Sequence, residues 1–305
     1  APDGSLLAAN GLLGAPGAAA PAPAEEEPAE PEQPAPEGVT AIADIQGTGA
    51  ESPLKDQTVA TEGVVTGVWS EGGLNGFTIQ TGGTGTEATD ASQAIFVYMG
   101  DKPADQYPAL EDSVEVTGKV SEFYGSTQLT ASTVTQLDTP LEKVTPLKVD
   151  QLPDGNEARE PFEHMLIQPG EHTVTNNYSL NQYGSLGVVP GTKPLDNPTS
   201  VARPGAEAQA VAAANAQQLI VLDDGATTNF MRSPGNQNPL PYLDADQPVR
   251  VGAGLEFTTG VILDWRFDAW SFQPLGHLTD ATSAAVQPVT IEDTRPAEAA
   301  PEAVG

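Results

Sequence analysis

Residues 58–69 read TVATEGVVTGVW. Apolar and polar side chains alternate through this stretch, and Val59, Thr61, Val64, Val65, Thr66 and Val68 are β-branched, which suits a pleated strand with a buried face. Gly63 stands where the long first strand of a small barrel has to coil or bulge. Shorter runs of the same kind follow at 75–80, after the Gly72-Gly73 turn, and at 94–99, after the glycine-rich loop 82–85. Two more lie at 113–121 and 128–137. About five strands in roughly 90 residues, the first long and glycine-kinked, is the rhythm of an OB-type barrel.

Downstream of this unit, residues 163–168, 173–178, 219–222, 255–263 and 270–273 read as further strands. Residues 206–218 (AEAQAVAAANAQQ) follow Pro204-Gly205 and read as one short Ala-rich helix. Residues 15–37 are almost wholly Ala, Pro, Glu, Gly and Gln, with nothing to bury, and read as a disordered acidic linker. The end of the chain repeats that composition around Pro296 and Pro301. The expected layout is a linker over 1–38, an OB-like barrel over 39–149, a second β-rich, OB-like unit over 150–280, and a linker over 281–305. The fold class is mostly β, with two small OB-like barrel units.

The 305 residues include 31 Gly, 28 Pro and no cysteine, so stability has to come from buried apolar area. No stretch approaches the roughly 18 apolar residues that span a bilayer. The chain opens at Ala1-Pro2 with no charged n-region before an apolar run, which suits a mature chain after signal removal and a secreted or cell-surface location. Formal net charge is −30, and residues 39–280 alone carry 11 basic and 31 acidic side chains. Such a surface repels phosphate backbones and argues against gripping nucleic acid by a basic patch. A solvated acidic coat on an exported protein accounts for it, and so does adaptation to divalent cations or salt.

Catalytic templates fail one by one. His164, His172 and His277 are dispersed and form no HExxH pair, reading as surface or strand histidines. There is no GxSxG elbow, phosphate-binding loop or EF-hand loop. Asp223-Asp224-Gly225 after an apolar strand reads as a turn, although with Asp264 it would be the place for a carboxylate site if the chain were itself an enzyme. The sequence therefore yields no catalytic residue and no metal ligand. Small barrels also bind single strands or sugars by stacking on exposed rings. Trp69 and Tyr124, near strand ends and turns, are the candidate rings, with Lys119 as supporting cation and Lys102 nearby; most of the other aromatics should fill the cores.

An ordered series of short motifs resembles a known family. Residues 42–49 (IADIQGTG), 52–54 (SPL), 61–66 (TEGVVT) and 75–80 (NGFTIQ) look like the OB-like region of large extracellular bacterial nucleases. Residues 162–167 (FEHMLI), 178–184 (YSLNQYG), 220–225 (IVLDDG), 259–262 (TGVI) and 272–274 (FQP) follow in the same order, so the resemblance covers about residues 40–275. His164 stands where that family usually has glycine, and Gly252-Ala253-Gly254 replaces a more usual Gly-Asp. The resemblance implies an endonuclease/exonuclease/phosphatase catalytic domain further along, with Mg or Ca as its metal. Its signature segments, resembling Thr-Phe-Asn and Ser-Asp-His, are not in this sequence. The expected role is a non-catalytic accessory region that orients such a domain on extracellular DNA or RNA. The alternative is an interaction module that contacts the cell envelope or a partner protein.

Overall fold

A computed structural model describes residues 38–243, 248–278 and 287–294. The linkers expected over 1–38 and 281–305 fall for the most part outside the described residues. The fold is mostly β, with a closed five-stranded barrel followed by a nine-stranded half-barrel sheet.

The barrel comprises β1 (Thr58–Trp69), β2 (Gly76–Gln80), β3 (Ala94–Tyr98), β4 (Ser113–Phe123) and β5 (Ser126–Gln136), closed in the order β1-β2-β3-β5-β4. β1 is long because it serves two neighbours: Thr58–Val64 pairs with β4 and Val64–Trp69 with β2. Gly63 sits at that change of partner, where a Cβ would lie 2.9 Å from Ile79 Cβ. The irregularity expected at Gly63 falls slightly later, between Val65 and Gly67. There the Trp69 ring folds back to where a Cβ on Gly67 would meet it at 2.5 Å. Parallel pairing of β3 with β5 closes the barrel.

Phe77, Ile79, Ile95, Val97, Val114, Val116, Val120 and Leu129 fill the interior. A short helix that the sequence reading did not single out, α1 (Ile42–Gln46), inserts Ile42 and Ile45 into the same cluster. Without disulfides, such burial holds the unit together, each large side chain contributing roughly 1.5–3 kcal/mol relative to exposure.

The half-barrel contains β6 (Leu147–Val149), β7 (Leu166–Pro169), β8 (His172–Asn176), β9 (Leu186–Pro190), β10 (Ile220–Leu222), β11 (Gly254–Phe257), β12 (Val261–Arg266), β13 (Ala269–Gln273) and β14 (Val289–Ile291). Its order is β14-β11-β8-β9-β10-β13-β12-β7-β6. The sheet thus takes in strands on both sides of the expected 150–280 unit, including one in the region read as a C-terminal linker. The expected helix, α2 (Ala206–Gln218), forms with the bounds read from sequence. The remaining helical segments are single turns.

The stretch 255–263, read as one strand, is two. β11 pairs with β8 and β14, whereas β12 pairs with β7 and β13. Five strand spacings separate them in the sheet order, about 24 Å if flat. Residues 258–260 span at most about 14 Å between Phe257 and Val261. The sheet therefore has to curl, and the interior of the curl shows it. His172 on β8, Phe257 on β11 and Phe272 on β13 meet as a triangle of edge-to-face rings with centroids 5.3–5.4 Å apart.

Candidate functional site

The β2–β3 face and the adjoining loops are where OB barrels take oligonucleotides and oligosaccharides. Alternation along these strands turns Phe77, Ile79, Ile95 and Val97 inward and leaves Thr78, Gln80 and Phe96 on the outer face. Those outer residues are buried as well, because the half-barrel lies against them. Trp69, Leu74 and Phe96 of the barrel form one apolar cluster with Leu166 and Ile262 of the sheet. The backbone N–H of Leu166 donates to Gln80 Oε1 at 2.9 Å, and Val68 N–H donates to the Leu275 carbonyl at 2.9 Å. Ser92 Oγ donates to the Glu163 carbonyl, again across the junction.

At the centre of the junction is a buried polar group. His164 precedes β7 at φ 60° and is fully buried. Its Nε2 lies 3.2 Å from Ser126 Oγ and 3.1 Å from the Thr127 carbonyl, both on barrel strand β5. Its Nδ1 lies 3.3 Å from Asp264 Oδ1 on β12, at ion-pair distance but not aligned as a hydrogen bond. Arg266 Nε donates to Asp264 Oδ2 at 2.8 Å, and the guanidinium rests over the Phe96 ring at 4.8 Å. Burial works against charge on Asp264, yet Arg266 and His164 outweigh it and hold the carboxyl below its usual range. Burial also opposes the imidazolium, but Glu163 and Asp264 raise its pKa above the ordinary histidine value. Burial pushes Glu163 up to about 7, against the pull of His164.

Ser126, His164 and Asp264 have the order of a hydroxyl, a base and an orienting carboxylate. All three are buried, and the space beside Asp264, Arg266, Phe96 and Trp69 holds no water-sized volume. A nucleophile needs room for a substrate carbonyl or phosphoryl group, whereas these three buried side chains link a barrel strand to the half-barrel. The sequence reading of His164 as a surface or strand histidine is corrected accordingly, since it is buried and lies outside any strand, whereas His172 is a strand histidine as read, on β8. His164 sits in the junction, and His172 lies inside the curl with Nδ1 on the Gly170 carbonyl at 2.9 Å. Sequence reasoning missed Ser126 and Asp264 as partners of His164, and Arg266 as the partner of Asp264. The available signals were the bulky residue at the position where the resembled family has glycine, and two opposite charges spaced two apart in an otherwise apolar strand.

Asp223 and Asp224 follow β10. Asp223 Oδ2 accepts from Gln273 Nε2 at 2.9 Å, and Asp224 Oδ1 accepts the Ala226 N–H at 2.9 Å, which is the turn chemistry expected. Burial raises both carboxyls above the usual aspartate value, with the charge of Asp264 adding to the effect at Asp223 and that of Asp223 adding to it at Asp224. Asp264 does not complete a three-carboxylate site with them. Among the described residues no group of three His, Cys, Asp or Glu is placed to hold a metal ion.

The candidate nucleic-acid residues separate. Trp69 is 2% exposed and donates Nε1–H to the Pro274 carbonyl at 3.1 Å, so the expectation of an exposed ring is corrected. Its place at a strand end made it look like a surface residue; the second unit, packed on that end, buries it. Tyr124 is 61% exposed at the tip of the β4–β5 hairpin. Lys119 is exposed and ion-paired with Asp56 at 3.1 Å. Lys102 Nζ donates to the Ala131 carbonyl at 3.3 Å.

No protein-family model matches the chain, and no curated protein matches it. Among solved structures, the hypothetical protein ygiW from E. coli is similar at 16% identity, over 35% of this chain and 100% of its own, with a TM-score of 0.23. A likeness of that size carries no argument about fold or function.

Proposed function

We propose that this chain is a non-catalytic accessory region of an exported nuclease, one that orients a catalytic domain on polymeric DNA or RNA without gripping the substrate itself. The nuclease part of the reading is supported by the ordered motifs across residues 40–275. The non-gripping part is supported by one observation above all: the barrel face on which OB folds bind oligomers is covered by the chain's own half-barrel. Net charge points the same way, since an acidic body repels phosphates. Mg or Ca belongs, in this reading, to the catalytic domain.

Two assays test it. Incubation of this chain with plasmid DNA or with RNA in Mg²⁺ or Ca²⁺ is expected to give no cleavage; cleavage that survives repurification would overturn the non-catalytic assignment. The parent protein with and without residues 38–294 is expected to cut short oligonucleotides equally and long DNA differently. Equal rates on both substrates would remove the orienting role.

A further inference from the structure

We propose that the tips of two neighbouring hairpins form a stacking site for a neutral sugar chain. This inference is independent of the nuclease reading. The β4–β5 hairpin turns at Tyr124-Gly125 between the paired residues Phe123 and Ser126, and the β12–β13 hairpin turns at Phe267-Asp268 between Arg266 and Ala269. All four turn residues have positive φ: 52° at Tyr124, 85° at Gly125, 54° at Phe267 and 59° at Asp268. Two-residue turns of this kind are served by Asn-Gly or Asp-Gly, and a bulky aromatic at positive φ is an outlier that carries a backbone cost. The chain carries that cost twice, and on each tip it leaves the ring in water: Tyr124 is 61% and Phe267 48% exposed. Phe123, 40% exposed, meets Tyr124 edge-to-face with centroids 4.8 Å apart. Residues held in sparsely populated backbone regions cluster at ligand-binding and active sites, where the surrounding structure keeps them in place.

The two tips are fastened together. Trp265 Nε1 donates to the Tyr124 carbonyl at 3.0 Å, and Gly125 allows the approach, since a Cβ there would lie 3.1 Å from that nitrogen. Trp265 in turn packs on Trp270 at 5.2 Å. The rings therefore stand on a pre-organised base, which lowers the cost of ordering on binding.

Charge selects the ligand. Lys119 is paired with Asp56, and Arg266 is turned inward onto Asp264, so the nearby cations are engaged. The region from 39 to 280 has net charge −20. A phosphate backbone finds no partner there. A neutral pyranose offers a flat C–H face to the rings and hydroxyls to exposed acceptors such as Asp268. Three rings are also too small a surface for a stable protein partner, which needs about 1,000 Å².

The test is affinity electrophoresis of the full chain in native gels containing dextran, laminarin or hydroxyethyl cellulose, with fluorescent dT20 titrated in parallel. The variants are Tyr124→Asn and Phe267→Asn, singly and together. Asparagine suits positive φ and keeps the Tyr124 carbonyl, so the unfolding midpoint should hold or rise. Retardation by at least one neutral polysaccharide is expected, weakened about tenfold per ring removed. Absence of retardation in all three gels, equal retardation of the double variant, or tighter binding of dT20 than of any polysaccharide would each overturn the proposal.

Discussion

The side-chain carbonyl of Gln80 accepts the backbone N–H of Leu166 at 2.9 Å, with both residues buried, so a barrel strand and a half-barrel strand share a hydrogen bond away from water. The same Gln80 donates Nε2–H to Thr84 Oγ1 at 3.0 Å, which fixes the amide orientation. Barrel and half-barrel are joined through side chains that an OB barrel would otherwise present to a ligand.

Replacing Gln80 by Leu strands the Leu166 N–H in an apolar junction. The expected loss is about 1–3 kcal/mol, the cost of an unsatisfied buried donor. Urea unfolding of the variant should show a lower midpoint with an unchanged slope. A midpoint equal to wild type would mean that water reaches the junction.

Trp69 should behave as a core residue. Trp69→Ala is expected to cost about 3–5 kcal/mol through the cavity it opens among Leu74, Phe96, Leu166 and Ile262. Trp69→Phe, which keeps most of the volume and gives up the bond to Pro274, should cost about 1 kcal/mol. Equilibrium denaturation separates the two; a surface stacking ring would show neither loss.

Ser126 is expected to resist fluorophosphonate labelling, and the chain to leave activated esters intact. Asp264→Asn should instead register as a folding defect of about 3–5 kcal/mol, because Arg266 and His164 lose a buried counter-charge. Stoichiometric labelling of Ser126, read by mass spectrometry, would show that a working nucleophile exists where the structure has a sealed contact.

Glu163 supplies a pH dependence whose sign can be worked out. Its folded pKa, about 7, lies above the ordinary glutamate value of 4.5, because burial disfavours the carboxylate, with Glu160 and Asp264 nearby adding to the effect. The folded state therefore holds the proton more tightly, and that stabilisation, full below about pH 4.5, is lost as pH rises through about 7. His164, also raised, contributes with the same sign, whereas His172 and His277, both lowered by burial, oppose it below the ordinary histidine value. The Glu163→Gln variant isolates the Glu163 part. Its stability relative to wild type should climb between about pH 5 and 7, by no more than about 1.4 kcal/mol per pH unit. Urea midpoints of both proteins across that range give the difference, and a flat difference would contradict the burial of Glu163 as a neutral acid.

Much of the barrel was legible from residues 58–69 onward, because period-two alternation and glycine punctuation are local signals. β1 and α2 have the bounds read from sequence. The split of 255–263 was not legible: β-branched residues on both sides of Thr259-Gly260 look continuous, and only the distant partners β8 and β7 show that the chain changes sides of a curled sheet. α1 was too short to carry a periodic pattern of its own, and β6, β9 and β14 are strands of three to five residues. The junction was hidden for a related reason. Ser126, His164 and Asp264 come from three distant segments, and nothing local in any one of them announces the other two. Trp69 and Tyr124 looked alike in sequence, both aromatic and both beside a turn. What separates them is tertiary, since the half-barrel covers one and leaves the other at an open hairpin tip.

The covered β2–β3 face is tested most directly by fluorescence anisotropy of labelled dT20 titrated with this chain at low salt, where electrostatic contacts are strongest. No saturable binding is expected below about 100 µM, weaker than ordinary non-specific association. Saturable binding with a Kd under about 1 µM, abolished by Phe96→Ala, would contradict it, because it would mean that the half-barrel lifts away and the barrel face is open to single strands.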